Sequence, residues 1–253
     1  MRSKLIFVFL IVFTIAFLVG VFFLIFRFSD FVSEQISEDE TENSEPAPEI
    51  PIEATETATY YPYNDKSHMD YSRNTDMIGW LTIPNSEIDF PVMQSYEDPD
   101  KYLTKDFFQN PSSYGCPYVQ SNCDILTPSD NIIIYAHDMA DGTMFAPLRQ
   151  YKDFEFYKKH KTVNFEIDGE IQNYSVLAFI VLPYTTDDRS SFRFYEFVDA
   201  YDPKSFNDSV EKCKSLSEYD TEVTAEYSDK LLTLATSEYN SDNERLLLIA
   251  KQD

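Results

Sequence analysis

Three side chains in this chain of 253 residues stand where a proton, a nucleophile and a developing negative charge could be handled together. His137 closes the apolar run "NIIIYAH" and opens onto the turn-prone "DMADG". An imidazole can take or give a proton near neutral pH. Ser237 ends the run "KLLTLATS" and Arg245 begins the run "RLLLIA". A hydroxyl can attack a carbonyl once a base removes its proton. A guanidinium can donate hydrogen bonds to the oxygen that becomes negative in a tetrahedral intermediate. Base, nucleophile and oxyanion donor are the parts of acyl transfer. Each residue alone also has a plain reading: a strand-end histidine is commonly an edge residue, and serines and arginines are abundant.

The elements around these residues read as short strands. "WLTIP", "IDFPVMQ", "CPYVQ" and "NIIIYAH" are β-type runs, with "PNS" a turn between the first two. "YSRNTDMIGW" predicts a short helix running into a strand, and "DGTMFAPLRQY" a helical turn or two after His137. Val163, Phe165 and Ile167 alternate ahead of Asp168-Gly169, the signal of a hairpin. Asp202 and Pro203 read as N-cap and first position of a helix that carries Phe206, Val210, Cys213 and Leu216 on one face. "KLLTLAT" and "RLLLIAK" close the chain as two strands, placing Ser237 and Arg245 side by side at their ends. Many short strands and few helices argue a β-barrel or a sandwich with helical insertions.

Composition bounds the setting. Residues 5–26 are uncharged and span about 33 Å as a helix, enough for a bilayer core. The run is longer than the apolar region of a signal peptide, and "RFSDF" follows in place of a small-residue cleavage site. Arg2 and Lys4 precede the span, so the expectation is a single-pass anchor with residues 1–4 cytoplasmic and all that follows outside. From Asp30 to Glu56 acids abound without a Lys or Arg, and residues 27–65 read as a disordered acidic stalk carrying a folded domain over 66–253. The net charge of −24 argues against nucleic acid as a partner. The three cysteines are an odd number for an exported chain, so at least one is unpaired within it. If "GCPYVQSNC" is one extended strand, Cys116 and Cys123 lie roughly 23 Å apart, too far for a disulfide. Cys213 reads as core. His68, His137 and His160 are scattered, with no metal-type spacing and no cofactor suggested. An acidic, stalked β-domain of this kind also fits an adhesin or receptor ectodomain.

The wording around the three residues is more specific than the residues. "TLATSEY…R" resembles the signature of sortases, the membrane-anchored transpeptidases of Gram-positive cell walls, usually written TLxTC followed by an Arg. "YAHDMADGTMFAPLRQY" is similar to the segment around the catalytic histidine in class B members, and "IGWLTIPNSEIDFPVMQ" to their opening strands. The step from Ser237 to Arg245 and the long insertion between "LPY" and "TLATS" also fit class B. The resemblance spans roughly residues 70–251. It implies a mostly β fold: a closed sortase-type barrel of about eight strands, with an N-terminal helix and a helical insertion before the last two strands. It implies that His137, the residue at 237 and Arg245 gather at one end. The reaction it implies cleaves a sorting signal after its threonine and passes the acyl group to an amine of a peptidoglycan precursor. The peptide would lie in a groove lined by the "TLATS" strand and the insertion helix. Asp138 stands where asparagine is more usual, a departure of minor expected consequence.

The larger departure is Ser237, in the position of the family's cysteine. A thiol has a pKa near 8.5, lowered further beside an imidazolium. Ionising an alcohol beforehand costs on the order of 6–8 kcal/mol more. A preformed thiolate–imidazolium pair is therefore closed to this chain. Ser237 attacks only if neutral His137, held in the right tautomer by a third group, takes its proton during the reaction. Three readings stay open: a working serine transpeptidase or peptidase, a non-catalytic relative that binds sorting signals or partner proteins, and a serine introduced to stop turnover.

Overall fold

The computed structural model describes residues 66–183, 192–236 and 243–253. The apolar run 5–26, the acidic stretch 27–65 and Ser237 lie outside the described residues. Among the described residues no helix is long and apolar enough to cross a membrane.

The strands are β1 (Met77–Thr82), β2 (Asp89–Met93), β3 (Tyr118–Val119), β4 (Asn131–Ala136), β5 (Thr162–Ile167), β6 (Glu170–Pro183), β7 (Leu231–Thr236) and β8 (Glu244–Gln252). They form a closed barrel in the order β1-β2-β3-β4-β7-β8-β6-β5. β4 and β7 run parallel, as do β2 and β3, and the remaining neighbours are antiparallel. Central strands covered on both faces read as continuous apolar runs instead of alternating ones. β7 shows this: all six of its residues are buried.

Two local devices close the barrel. β6 is 14 residues long and serves two neighbours, pairing with β5 through its first half and with β8 along most of its length. A register irregularity between Val176 and Ala178 bends it where it changes partners. At the β1–β5 seam, a Cβ on Gly79 would stand 2.5 Å from the Glu166 carbonyl oxygen and 2.7 Å from the Phe165 ring. Glycine is what lets the two strands meet there.

The larger hydrophobic cluster includes Leu81, Val92, Ile133, Phe165, Phe179, Leu234 and Leu248, all fully buried. A second cluster, built on Met77, Trp80, Met93, Tyr102, Phe107, Cys116 and Tyr118, sits beneath the loop between β2 and β3. That loop carries a 3₁₀ turn at Lys101–Leu103. Further 3₁₀ segments follow β4 (Ala146–Lys152) and precede the insertion helix (Phe194–Glu196). Helix α1 spans Phe154–Lys159, and α2, the insertion helix, spans Pro203–Leu216. As the sequence predicts, Asp202 caps α2, Pro203 opens it, and Phe206, Val210 and Cys213 are its buried face.

Two expectations are corrected. The segment "YSRNTD" forms turns, not a short helix, because its own side chains take the backbone donors. Asp70 accepts from the Ser72 N–H and Asn74 from the Asp76 N–H, competing with helical bonds. The N-terminal helix that the resemblance implies, if placed before residue 66, lies outside the described residues. Nor is "GCPYVQSNC" one strand: β3 is two residues long, and the chain turns as the Cys123 N–H donates to the Gln120 carbonyl. The cysteines are nonetheless unbridged.

Candidate active site

Parallel pairing of β4 with β7 does what no local signal in the sequence states. Ala136, the residue before His137, pairs with Thr236, the residue before position 237. Thr236 is fully buried, and its Oγ1 accepts from the Leu246 N–H at 3.1 Å, next to Arg245. The chain neighbours of all three sequence-derived residues therefore stand in one row across β4, β7 and β8, with neighbouring strands about 4.8 Å apart.

His137 is half-buried. Its Nε2 lies 2.8 Å from the carbonyl oxygen of Leu103, on the loop between β2 and β3. Its own carbonyl accepts from the Phe145 N–H at 2.8 Å, folding the "DMADGTM" loop back on the strand. The next residue, Asp138, is buried to 1% side-chain exposure and pairs with Arg149 at two points, Oδ1 to Nη2 at 2.6 Å and Oδ2 to Nε at 3.0 Å. A neutral amide at this position could not make this ion pair. Arg149, on the 3₁₀ segment that follows, was the one cue in the sequence.

Arg245, partly buried, stands just before the buried part of β8, its guanidinium carbon 5.8 Å from the centroid of the Phe194 ring, a cation–π contact. Its charge also reaches the phenols of Tyr118 and Tyr135, whose rings pack 5.7 Å apart. Burial pushes Tyr118 up to about 12, the Asp100 carboxylate adds to the rise, and Arg245 opposes it. Burial likewise raises Tyr135 against the same opposition. Both phenols stay protonated donors at any ordinary pH. Tyr135 donates to Gln120 Oε1 at 2.7 Å, and Gln120 Nε2 donates to the Tyr195 carbonyl at 3.0 Å.

Beside Arg245 opens a cleft of about 890 Å³, lined among others by Asp100, Tyr118, Tyr135, Tyr195, Glu196 and Tyr201. Its lining comes from β3 and the loops on either side of it, from β4, from Arg245 at the start of β8 and from the 195–201 segment. All six residues of β7 are buried, and α2 packs on β6. A separate hollow of about 670 Å³ borders α2, with Asn207, Val210 and Lys214 facing Tyr219 and Thr224.

The remaining candidate groups sit elsewhere. His160 is buried, its ring nitrogens 2.8 and 3.0 Å from the carbonyls of Phe156 and Asn85. His68 lies against the Ser67 hydroxyl. No group of three potential metal ligands occurs among the described residues. All three cysteines are buried, with Cys116 and Cys123 directing their thiols at the carbonyls of Pro91 and Asn131. Burial pushes Cys123 up to about 11 and Cys213 to about 12, and Cys116 further still. Since the thiolate is the reactive form, iodoacetamide at pH 8 is expected to leave the native chain unmodified and to add three groups in denaturant. Intact mass reads the difference, and rapid labelling of any one cysteine in the native chain would reopen a substitute nucleophile.

No protein-family model matches the chain. A curated relative does: sortase B of Listeria monocytogenes is 36% identical over 174 residues, covering 68% of this chain and 67% of that protein. The chain belongs to the sortase B family. Sortase B of Staphylococcus aureus is 27% identical over 180 residues, 70% of each chain. Its crystal structure superposes with a TM-score of 0.64 at 26% identity, covering 72% of this chain and 83% of that one. The same S. aureus protein has been solved as a substrate complex, and a sortase B has been solved with triglycine. The closed eight-stranded barrel described above is thus the sortase B fold, and membership assigns the chain to the sortase-type transpeptidases.

Proposed function

We propose that this sortase B family member cleaves an extended sorting-signal peptide and transfers its acyl group to an amine, with Ser237 as nucleophile, His137 as general base and acid, and Arg245 as oxyanion donor. The observation that supports it most is the row Ala136–Thr236–Leu246, which brings the neighbours of the three residues together at one barrel end. The peptide occupies the cleft beside Arg245. The acceptor is an amine of the peptidoglycan precursor, in keeping with the triglycine complex of the sortase B relative. The apolar run 5–26 serves as a single-pass anchor that holds the domain at the outer face of the cell membrane.

In this mechanism the Ser237 oxygen bonds to the carbonyl carbon of the signal's threonine while its proton passes to His137. The carbonyl oxygen gains the negative charge and is met by the Arg245 guanidinium. The scissile C–N bond then breaks, and His137 returns the proton to the departing amine. The incoming amine attacks the resulting ester, His137 takes its proton, and Ser237 leaves with it.

A second reading is favoured by one observation, the alcohol at 237 in a family that uses a thiol there: the chain binds sorting signals and does not turn them over. The two separate in a single assay. The full-length chain and its His137→Ala variant are incubated with a library of threonine-containing sorting peptides and an oligoglycine acceptor. Cleavage that falls at least about 10²-fold in the variant, the usual worth of a general base, is the expected result. Saturable binding with equal, negligible cleavage in both gives the binding reading instead.

A further inference from the structure

Resting on the reading of His137 as base, we propose that the backbone carbonyl of Leu103, held in place through Tyr102 by Asp76 and Asn74, fixes the proton of His137 on Nε2 and makes Nδ1 its proton-accepting nitrogen. A carbonyl oxygen has lone pairs and no proton, so an Nε2 at 2.8 Å from it is the donor. In a neutral imidazole the other nitrogen is then the acceptor. The part played in serine hydrolases by a carboxylate falls here to a main-chain oxygen.

A main-chain oxygen orients a ring only if its peptide is itself held. Leu103 ends the 3₁₀ turn Lys101–Leu103, and that turn is tied down from three sides. The Tyr102 hydroxyl, on a side chain only 1% exposed, donates to Asp76 Oδ2 at 2.9 Å and accepts from Asn74 Nδ2 at 2.8 Å. Lys101 Nζ reaches the same Asp76 oxygen at 2.7 Å. From below, the Tyr102 carbonyl accepts from the Cys116 N–H at 2.9 Å. Gly115, at φ +63°, permits that approach: a Cβ there would stand 2.4 Å from the Tyr102 carbonyl oxygen and 2.9 Å from that of Leu103. Asp76 and Asn74 lie just ahead of β1, so the opening of the barrel is wired to the ring that ends β4. They are positioning residues and touch no reacting atom.

The three histidines make the ring nitrogens directly observable. The full-length chain labelled with ¹⁵N-histidine is recorded at a pH where the imidazoles are neutral, with His137 assigned by its loss in His137→Gln. The expected spectrum has a protonated Nε2 and an unprotonated Nδ1 at His137. A proton on Nδ1, or two nitrogens averaged to one intermediate shift, overturns the assignment. Asp76→Ala and Gly115→Ala are expected to move His137 to averaged tautomers, and Asp76→Asn, which still accepts from Tyr102, to restore the Nε2-protonated form. Unchanged His160 resonances certify that each variant is folded. If His137 keeps its tautomer in a folded Asp76→Ala chain, Asp76 has no positioning role. The tautomer is read without turnover, so a fixed Nε2–H in a chain that cleaves no peptide would retire the catalytic reading and leave the orientation of the ring standing.

Discussion

Replacing Ser237 with cysteine is expected to raise the rate of sorting-peptide cleavage about 10²- to 10³-fold. Forming a thiolate costs some 6–8 kcal/mol less than forming an alkoxide. The more acidic nucleophile is intrinsically weaker, by a Brønsted slope near one half, so about 3–4 kcal/mol of the advantage survives, and each 1.36 kcal/mol is tenfold. The surroundings favour this direction. Where a serine hydrolase stabilises its imidazolium with a buried carboxylate, the residue seen against His137 Nε2 is the neutral Leu103 carbonyl. A thiol, which can hand over its proton before attack, depends less on that support. Single-turnover kinetics with a fluorogenic peptide on parent and Ser237→Cys measure the ratio. An equal or lower rate in the variant would mean that the site is adapted to the alcohol.

Arg245→Ala is expected to lower kcat by about 10²- to 10³-fold, the usual cost of one oxyanion donor, with a smaller change in KM. Lysine there should recover only part of the loss, since an ammonium cannot make the planar, forked contact of a guanidinium. The side chain is prepositioned against Phe194 and beside the phenols of Tyr118 and Tyr135, so its charge is already in place before an oxyanion forms. The same variant removes a cation from the mouth of the cleft. A fall in kcat/KM carried wholly by KM would therefore assign Arg245 to peptide binding. Parent and variant compared by steady-state kinetics at equal fold stability separate the two.

Local chemistry was readable in the sequence wherever it is written in neighbouring residues. Asp168-Gly169 announced a hairpin, and both residues adopt positive φ, 51° and 80°. Asp202-Pro203 announced the start of α2, and the capping box is there. The apolar runs ending at His137 and at position 237 are strands. What was not readable is long-range register. β4 and β7 are about a hundred residues apart, and nothing in either run says that they pair in parallel with Ala136 opposite Thr236. The cleft beside Arg245 was unreadable for the same reason, since its lining comes from segments whose meeting depends on barrel closure. The Leu103 contact left no trace at all, because a backbone carbonyl has no residue type. Asp138 shows the converse. Its partner Arg149 was in view, but a buried ion pair is visible only once burial is known.

The most direct test of acyl transfer through position 237 is intact-mass and fragment-mass analysis of the full-length chain, acid-quenched during incubation with a cleavable sorting peptide. The expected species carries the acyl fragment, ending in the signal's threonine, as an ester on Ser237, accumulates further as a thioester in Ser237→Cys, and is absent from His137→Ala. Peptide cleaved at the parent rate by Ser237→Ala, an adduct mapped to any other side chain, or no adduct on either the serine or the cysteine form would contradict it.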